Sequence, residues 1–246
     1  MSEDLTTVCA VGGNAVSAFL SWRLSATNAC DVTLVWKSSF DAVSQYGISF
    51  RYVDALAPTP HHASMLTRSQ IQQVRQRALQ AKTRYDPPLD HVEDTGTDGL
   101  TVVRTPEEAA GASRASFDYV LLCVKALPDV YDLASVIESV VSPQHTCILV
   151  NTTHTLGIES YLEQRFPTNV VLSLVSGAEI SQSGASEFEH KGSTELWVGA
   201  ANKNPSIPAS IQQDMAEALA MTLKSGQVDC EVSPNIRQQQ YERMIG

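Results

Sequence analysis

The segment 8–37 constrains the fold of this chain more than any other stretch of the sequence. Its first apolar run, residues 8–11, is broken by Gly12 and Gly13. From residue 15 the apolar side chains recur at helical spacing, and a β-branched run at 32–35 then indicates a buried parallel strand. We therefore predict a strand, a tight turn, a helix and a second strand in this order.

The turn places free backbone N–H groups at the start of a helix, where they would bind an anion such as a dinucleotide pyrophosphate. Against the fingerprint G-x-G-x-x-G, Gly12 is literal, whereas Asn14 and Ser17 replace the other two glycines. Asn tolerates positive φ, and Ser is small enough for close helix–strand packing. The residues predicted to line the pyrophosphate are those of the turn: Gly12, Gly13, Asn14, Ala15 and Val16. The alternative is an ordinary strand–helix unit without a ligand.

The end of the second strand predicts which dinucleotide would bind. It reads Trp36-Lys37-Ser38-Ser39, with no acid before Asp41. A site for NAD uses a carboxylate here to hold the ribose 2′-OH, whereas a cation with hydroxyls suits a 2′-phosphate. We therefore predict NADPH as the cofactor, with Lys37 at its 2′-phosphate. The alternative is a solvated lysine at a strand end.

Composition narrows the class of partner. The 246 residues carry a net charge of −10, which argues against nucleic acid or an anionic membrane surface as a partner. Five cysteines without metal spacing, a polar amino terminus and no apolar run of about 18 residues favour the cytoplasm, without a membrane span. We expect no metal, because the adjacent His61 and His62 have no further ligand nearby in the sequence.

Strand and helix patterns alternate along the rest of the chain and predict an α/β, Rossmann-like, doubly wound and mainly parallel sheet. Predicted strands are 48–53, 100–103, 117–124, 147–150, 170–174 and 228–232, with a C-terminal β-hairpin over 186–198 and a helix beginning at Pro128. We expect residues 1–233 to form the dinucleotide-binding domain, with 54–98 as a surface insertion. Residues 234–246 would begin a helical second domain that is largely absent.

Two polar residues follow long buried strands, where ligands of doubly wound sheets collect. Lys125 could reach a ribose or phosphate, so we predict that it binds the cofactor. The amide of Asn151 could orient a carbonyl or a carboxamide, so we predict a catalytic position for it. Alternatively, each residue caps the helix that follows it.

The segments VCAVGGNAVSAFL, DVTLVWK, LLCVKALPD, FPTNVVL, FEHKGSTELWVG and VDCEVSPNIRQQQYERM, together with Asn151, resemble the ketopantoate reductase family, NADPH-dependent enzymes of pantothenate synthesis. The resemblance extends in order over most of the chain except 54–98. It implies a small 2-oxo acid as substrate. It also places the residues 12–16 at the pyrophosphate, Lys37 at the 2′-phosphate, and Lys125 and Asn151 at the nicotinamide and substrate end.

This sequence also departs from the pattern of the family. The family's catalytic lysine, in a W-x-K context, aligns with Arg243, which can orient a ketone but is a poor proton donor. The family's remaining polar site residues would lie beyond residue 246, so we expect cofactor binding with slow or no turnover. A non-catalytic NADP-binding or interaction module is the second hypothesis. Lys37 argues against a third, an S-adenosylmethionine enzyme. We expect the last helix to expose Ile236, Tyr241 and Met244 and to favour self-association.

Overall fold

The computed structural model describes residues 5–27, 29–53, 100–113, 116–127, 129–151, 156–201 and 204–245. The insertion predicted at 54–98, with His61 and His62, lies outside these ranges, as does Pro128. The strands in the described ranges are β1 (Thr6–Val11), β2 (Cys30–Val35), β3 (Ser49–Val53), β4 (Leu100–Val103), β5 (Tyr119–Leu122), β6 (Cys147–Val150), β7 (Val171–Ser176), β8 (Glu179–Gln182), β9 (Glu187–Lys191), β10 (Leu196–Gly199) and β11 (Cys230–Val232).

The helices described are α1 (Ala15–Ser25), α2 (Phe40–Tyr46), α3 (Pro106–Ala112), α4 (Leu133–Ile137), α5 (Ile158–Arg165), α6 (Ala209–Ser225) and α7 (Ile236–Ile245). None of them is long and apolar enough to cross a membrane. Asn14 and Thr105 cap α1 and α3 with their side chains, and the chain enters both helices from extended backbone.

The main sheet has the strand order β11-β10-β7-β6-β5-β1-β2-β4. Its neighbours run parallel, apart from the antiparallel pair of β10 and β7. The chain builds outward from β1 in both directions, so the strand order reverses between β1 and β5. The prediction of a Rossmann-like, mainly parallel sheet is confirmed, and this reversal is where such sheets form a ligand crevice.

Both faces of the main sheet are buried, which explains the nearly continuous apolar runs of its strands. Val8 and Ala10 of β1 belong to one core cluster, whereas Cys9 and Val11 belong to the cluster on the opposite face. All five cysteines are buried free thiols. Desolvation raises the pKa of Cys9 to about 12, so this thiol remains protonated at neutral pH.

The strands of the predicted 186–198 hairpin do not pair with each other. β9 pairs antiparallel with β8 and parallel with β3 in a second, three-stranded sheet, whereas β10 joins the main sheet beside β7. The hairpin of this region is therefore β8–β9. Gly192, at φ +70°, carries the chain from one sheet to the other. Alternation of apolar residues identified both strands, but it holds no information about their partners.

The helix predicted from Pro128 begins later. α4 starts at Leu133, where Asp132 accepts a hydrogen bond from the Ala134 N–H at 3.0 Å. Val130, within the predicted helix, lies before α4 and is 73% exposed, whereas Leu133 is buried. An Asp with its own N-cap bond sets this boundary more strongly than the apolar spacing does.

Candidate functional site

The turn between β1 and α1 requires glycine at position 12. Gly12 has φ +136°, and a Cβ built there would lie 2.0 Å from the carbonyl oxygen of Cys123, directly after β5. A Cβ on Gly13 would lie 3.2 Å from Ser38 Oγ, at the end of β2. The turn is therefore pressed between the ends of the two strands that flank β1.

Asn14 does not use the positive φ that its place in the fingerprint suggested. Its backbone is extended at φ −131°, and its Oδ1 accepts the Ser17 N–H at 2.9 Å. Its Nδ2 donates to the Cys123 carbonyl oxygen at 2.6 Å, so the amide ties α1 to β5. Ser17 is fully buried, as expected for close packing of the helix against the strand.

The backbone N–H of Ser17 is already bonded to Asn14. The backbone N–H groups of residues 13–16, in the turn and at the start of α1, have no acceptor within the described ranges. They belong to the positive end of an 11-residue helix at the reversal of the strand order. This arrangement suits an anion above the turn.

Lys37 and Arg104 follow adjacent strands at the same edge of the sheet, since Val35 pairs with Val103. Lys37 is exposed and forms no salt bridge with the described residues. The Arg104 guanidinium lies 4.1 Å from the Phe40 ring centroid and 2.6 Å from Asp41 Oδ1. Arg104 is a second cation at this edge, and its position directly after the predicted strand 100–103 could have indicated it from the sequence.

A cleft of about 420 Å³ opens beside the turn and contains both residues predicted as catalytic, Asn151 and Arg243. Val16 lines it too and thus connects it to the glycine turn. Lys37 and Lys125 do not line it. Lys125 is exposed, and its carbonyl oxygen accepts a hydrogen bond from the Tyr131 hydroxyl.

Asn151 is 8% exposed and held from two sides. Its backbone N–H donates to the Leu122 carbonyl at 2.9 Å, and its Nδ2 donates to the Leu174 carbonyl at 3.0 Å. The amide oxygen has no partner within the described residues. Asn151 does not cap the next helix, because the N-cap of α5 is Gly157. Likewise, Asp132 and not Lys125 caps α4.

Glu159 of α5 is a buried carboxylate that sequence analysis missed. It is 2% exposed, and its Oε1 accepts hydrogen bonds from Ser173 Oγ and Gln240 Nε2, both at 2.6 Å. Gln240 precedes Arg243 by three residues on α7, and both line the cleft. Glu159 therefore helps to fix the helix that carries Arg243.

The last helix, α7, exposes fewer of its apolar side chains than predicted. Ile236 is 1% exposed, and a Cβ on Gly199 would lie 3.3 Å from its Cβ, so this residue is packed on β10. The prediction that it is uncovered is wrong, because α7 folds back onto the sheet. Tyr241 and Met244 are exposed as predicted, at 53% and 43%.

The parallel sheet and the glycine turn at its strand-order reversal define an α/β protein of the Rossmann class. The chain belongs to the ketopantoate reductase PanE/ApbA family, whose model matches residues 8–203. It is 33% identical over 255 positions to the meiotically up-regulated gene 72 protein of Schizosaccharomyces pombe. The alignment includes all of this chain and 38% of that relative.

Solved structures with the same fold are more distant in sequence. The 2-dehydropantoate 2-reductase of Geobacter metallireducens GS-15 superposes with a TM-score of 0.67 at 16% identity, over 96% of this chain and 61% of that one. D-mandelate dehydrogenase, solved with NADH and anilino(oxo)acetate, has a TM-score of 0.65 at 13% identity, over 97% and 60%. The chain thus spans less than two thirds of the length of these proteins.

Proposed function

We propose that this chain binds NADPH across the turn of residues 12–16 and serves as the cofactor-binding part of a reductase for a small 2-oxo acid, of the type that converts 2-dehydropantoate to pantoate. The turn carries this proposal. Gly12 leaves no room for a Cβ, and the N–H groups above it lack acceptors among the described residues. A phosphate group fits the space and the charge of such a cradle.

Bound NADPH would supply the hydride for reduction of the substrate carbonyl. The ammonium of Lys37 would bind the 2′-phosphate, and the N–H groups of residues 13–16 the pyrophosphate. The amide oxygen of Asn151, which has no partner among the described residues, would accept a hydrogen bond from the carboxamide. Arg243 would polarise the substrate carbonyl with its guanidinium charge, and water would supply the proton of the new hydroxyl group.

Replacing Lys37 with glutamate tests the choice of cofactor. We expect NADPH affinity to fall by roughly tenfold to a hundredfold, since a charge-assisted phosphate contact is lost and a repulsion is added. NADH affinity should stay the same or rise. Lys224→Glu, on the exposed last turn of α6, is the matched control and should change neither dissociation constant. Titration of intrinsic fluorescence gives all values, and an unchanged NADPH affinity in Lys37→Glu would remove this lysine from the site.

A non-catalytic NADPH-binding module is the second candidate, favoured by the arginine at position 243 in place of the family's lysine. We expect the 246-residue chain to bind NADPH and to oxidise it with ketopantoate slowly or not at all. The absorbance of NADPH at saturating ketopantoate measures this. A rate typical of enzymes, on the order of 10 per second, would contradict the expectation.

A further inference from the structure

The cleft beside the turn has an excess of positive charge. Among the residues that the structure describes, its charged lining residues are Glu179, Lys191 and Arg243. Lys191 is the direct cross-strand neighbour of Glu179, yet no salt bridge within 4.0 Å joins them. Arg243 also has no salt bridge with any residue that the structure describes. Within the described ranges, two cations thus line one concave space together with one exposed carboxylate, which favours an anionic ligand.

Asn151 offers a polar group on the same wall. Its Nδ2 donates to the Leu174 carbonyl, and its amide oxygen accepts no hydrogen bond from the residues that the structure describes. A polar atom beside a cleft is stabilised when a ligand donates a hydrogen bond to it.

The remaining wall of the cleft is aliphatic. Its apolar residues come from the main sheet, the second sheet, the link between β7 and β8, and α7, among them Val150, Leu174, Ala178, Ile180 and Met244. Such a wall stabilises a hydrocarbon group by removing it from water. A ligand that is complementary to both the cations and the aliphatic wall of the cleft has one anionic head and an aliphatic body. Glu179 would repel a second carboxylate.

We propose that Lys191 binds the carboxylate of an aliphatic 2-oxo acid with a single carboxylate, while Arg243 contacts its carbonyl. This assignment rests on the proposed function and deepens it, because it names the substrate-reading residues. Lys191 lies in the second sheet, at the end of β9. The break between the two sheets at Gly192 brings this end of β9 to the cleft.

Binding of oxamate, an unreactive 2-oxo acid analogue, tests the assignment on the whole chain with and without saturating NADPH. We expect Lys191→Met to weaken oxamate binding roughly tenfold or more, since an ionic contact in a half-buried site is lost. Lys191→Arg, which keeps the charge, should stay within about threefold of wild type. Lys224→Met is the control for loss of an exposed lysine. Neutral oxamide should bind weakly and equally to all variants.

Calorimetric titration separates the outcomes. Equal oxamate affinity in wild type and Lys191→Met, or no oxamate binding to a chain that binds NADPH, would overturn the assignment and leave the cofactor proposal intact. Loss of NADPH affinity in Lys191→Met would also overturn it, because the lysine would then act on the cofactor or on folding. A wild-type chain that binds oxamate but not NADPH would contradict the proposed function alone.

Discussion

Gly12→Ala is expected to lower the free energy of unfolding by about 3 kcal/mol and to abolish measurable NADPH binding. The new Cβ would lie 2.0 Å from the Cys123 carbonyl oxygen, and the backbone at φ +136° is unfavourable for alanine. The turn must therefore move away from β5, and the N–H groups of residues 13–16 move with it. Thermal unfolding should show a decrease in Tm of roughly 6–12 °C for a chain of this length.

Gly192→Ala is the matched control for Gly12→Ala. Gly192 also has positive φ, at +70°, but a Cβ there would meet nothing within 4 Å. We expect a cost of about 1 kcal/mol from backbone strain alone, with NADPH affinity unchanged. If both variants lost the same stability and both bound NADPH, the contact with the Cys123 carbonyl would not constrain the turn.

Glu159→Ala should destabilise the protein by about 2–3 kcal/mol. It leaves the Ser173 hydroxyl and one Gln240 N–H without their acceptor, and Ser173 is completely buried. Because Gln240 lies on α7, hydrogen exchange should accelerate most in the backbone amides of 236–245. Arg243 lies on the same helix, so the position of this helix would vary more and oxamate affinity should fall as well.

Glu217→Ala is the control for this change. Glu217 Oε1 also accepts a glutamine amide, from Gln213 at 2.8 Å, but both residues are exposed on α6. Its removal should cost less than about 0.5 kcal/mol. Equal, small effects at both positions would show that Glu159 is not the link between α7 and the sheet.

The sequence predicts the strands and the turn well because both depend on local pattern. Continuous apolar runs marked the central strands, and Gly12 was identified from its place between a strand and a helix. The partners of β9 and β10 were not predictable, because alternation is the same whichever strand lies alongside. Asn14 was assigned to the turn correctly but to the wrong backbone conformation, since its bond to Cys123 depends on a residue 109 positions away.

The residues of the candidate site also divide into those that the sequence identifies and those that only the tertiary fold identifies. Asn151 and Arg243 could be named from strand-end position and from the family resemblance, and the structure brings both to one cleft. Glu159 and Lys191 were missed because nothing local distinguishes a buried glutamate on a short helix, or a cleft lysine beside a glycine, from surface residues. Their surroundings come from α7 and the second sheet, which only the tertiary fold supplies.

Titration of the wild-type chain with NADPH and NADH, followed by intrinsic fluorescence or calorimetry, tests the central claim most directly. The geometry of the turn and the position of Lys37 predict saturable NADPH binding, and NADH binding weaker by roughly tenfold or more. Absence of a saturable NADPH signal from the folded chain, or NADH binding as tight as that of NADPH, would contradict it.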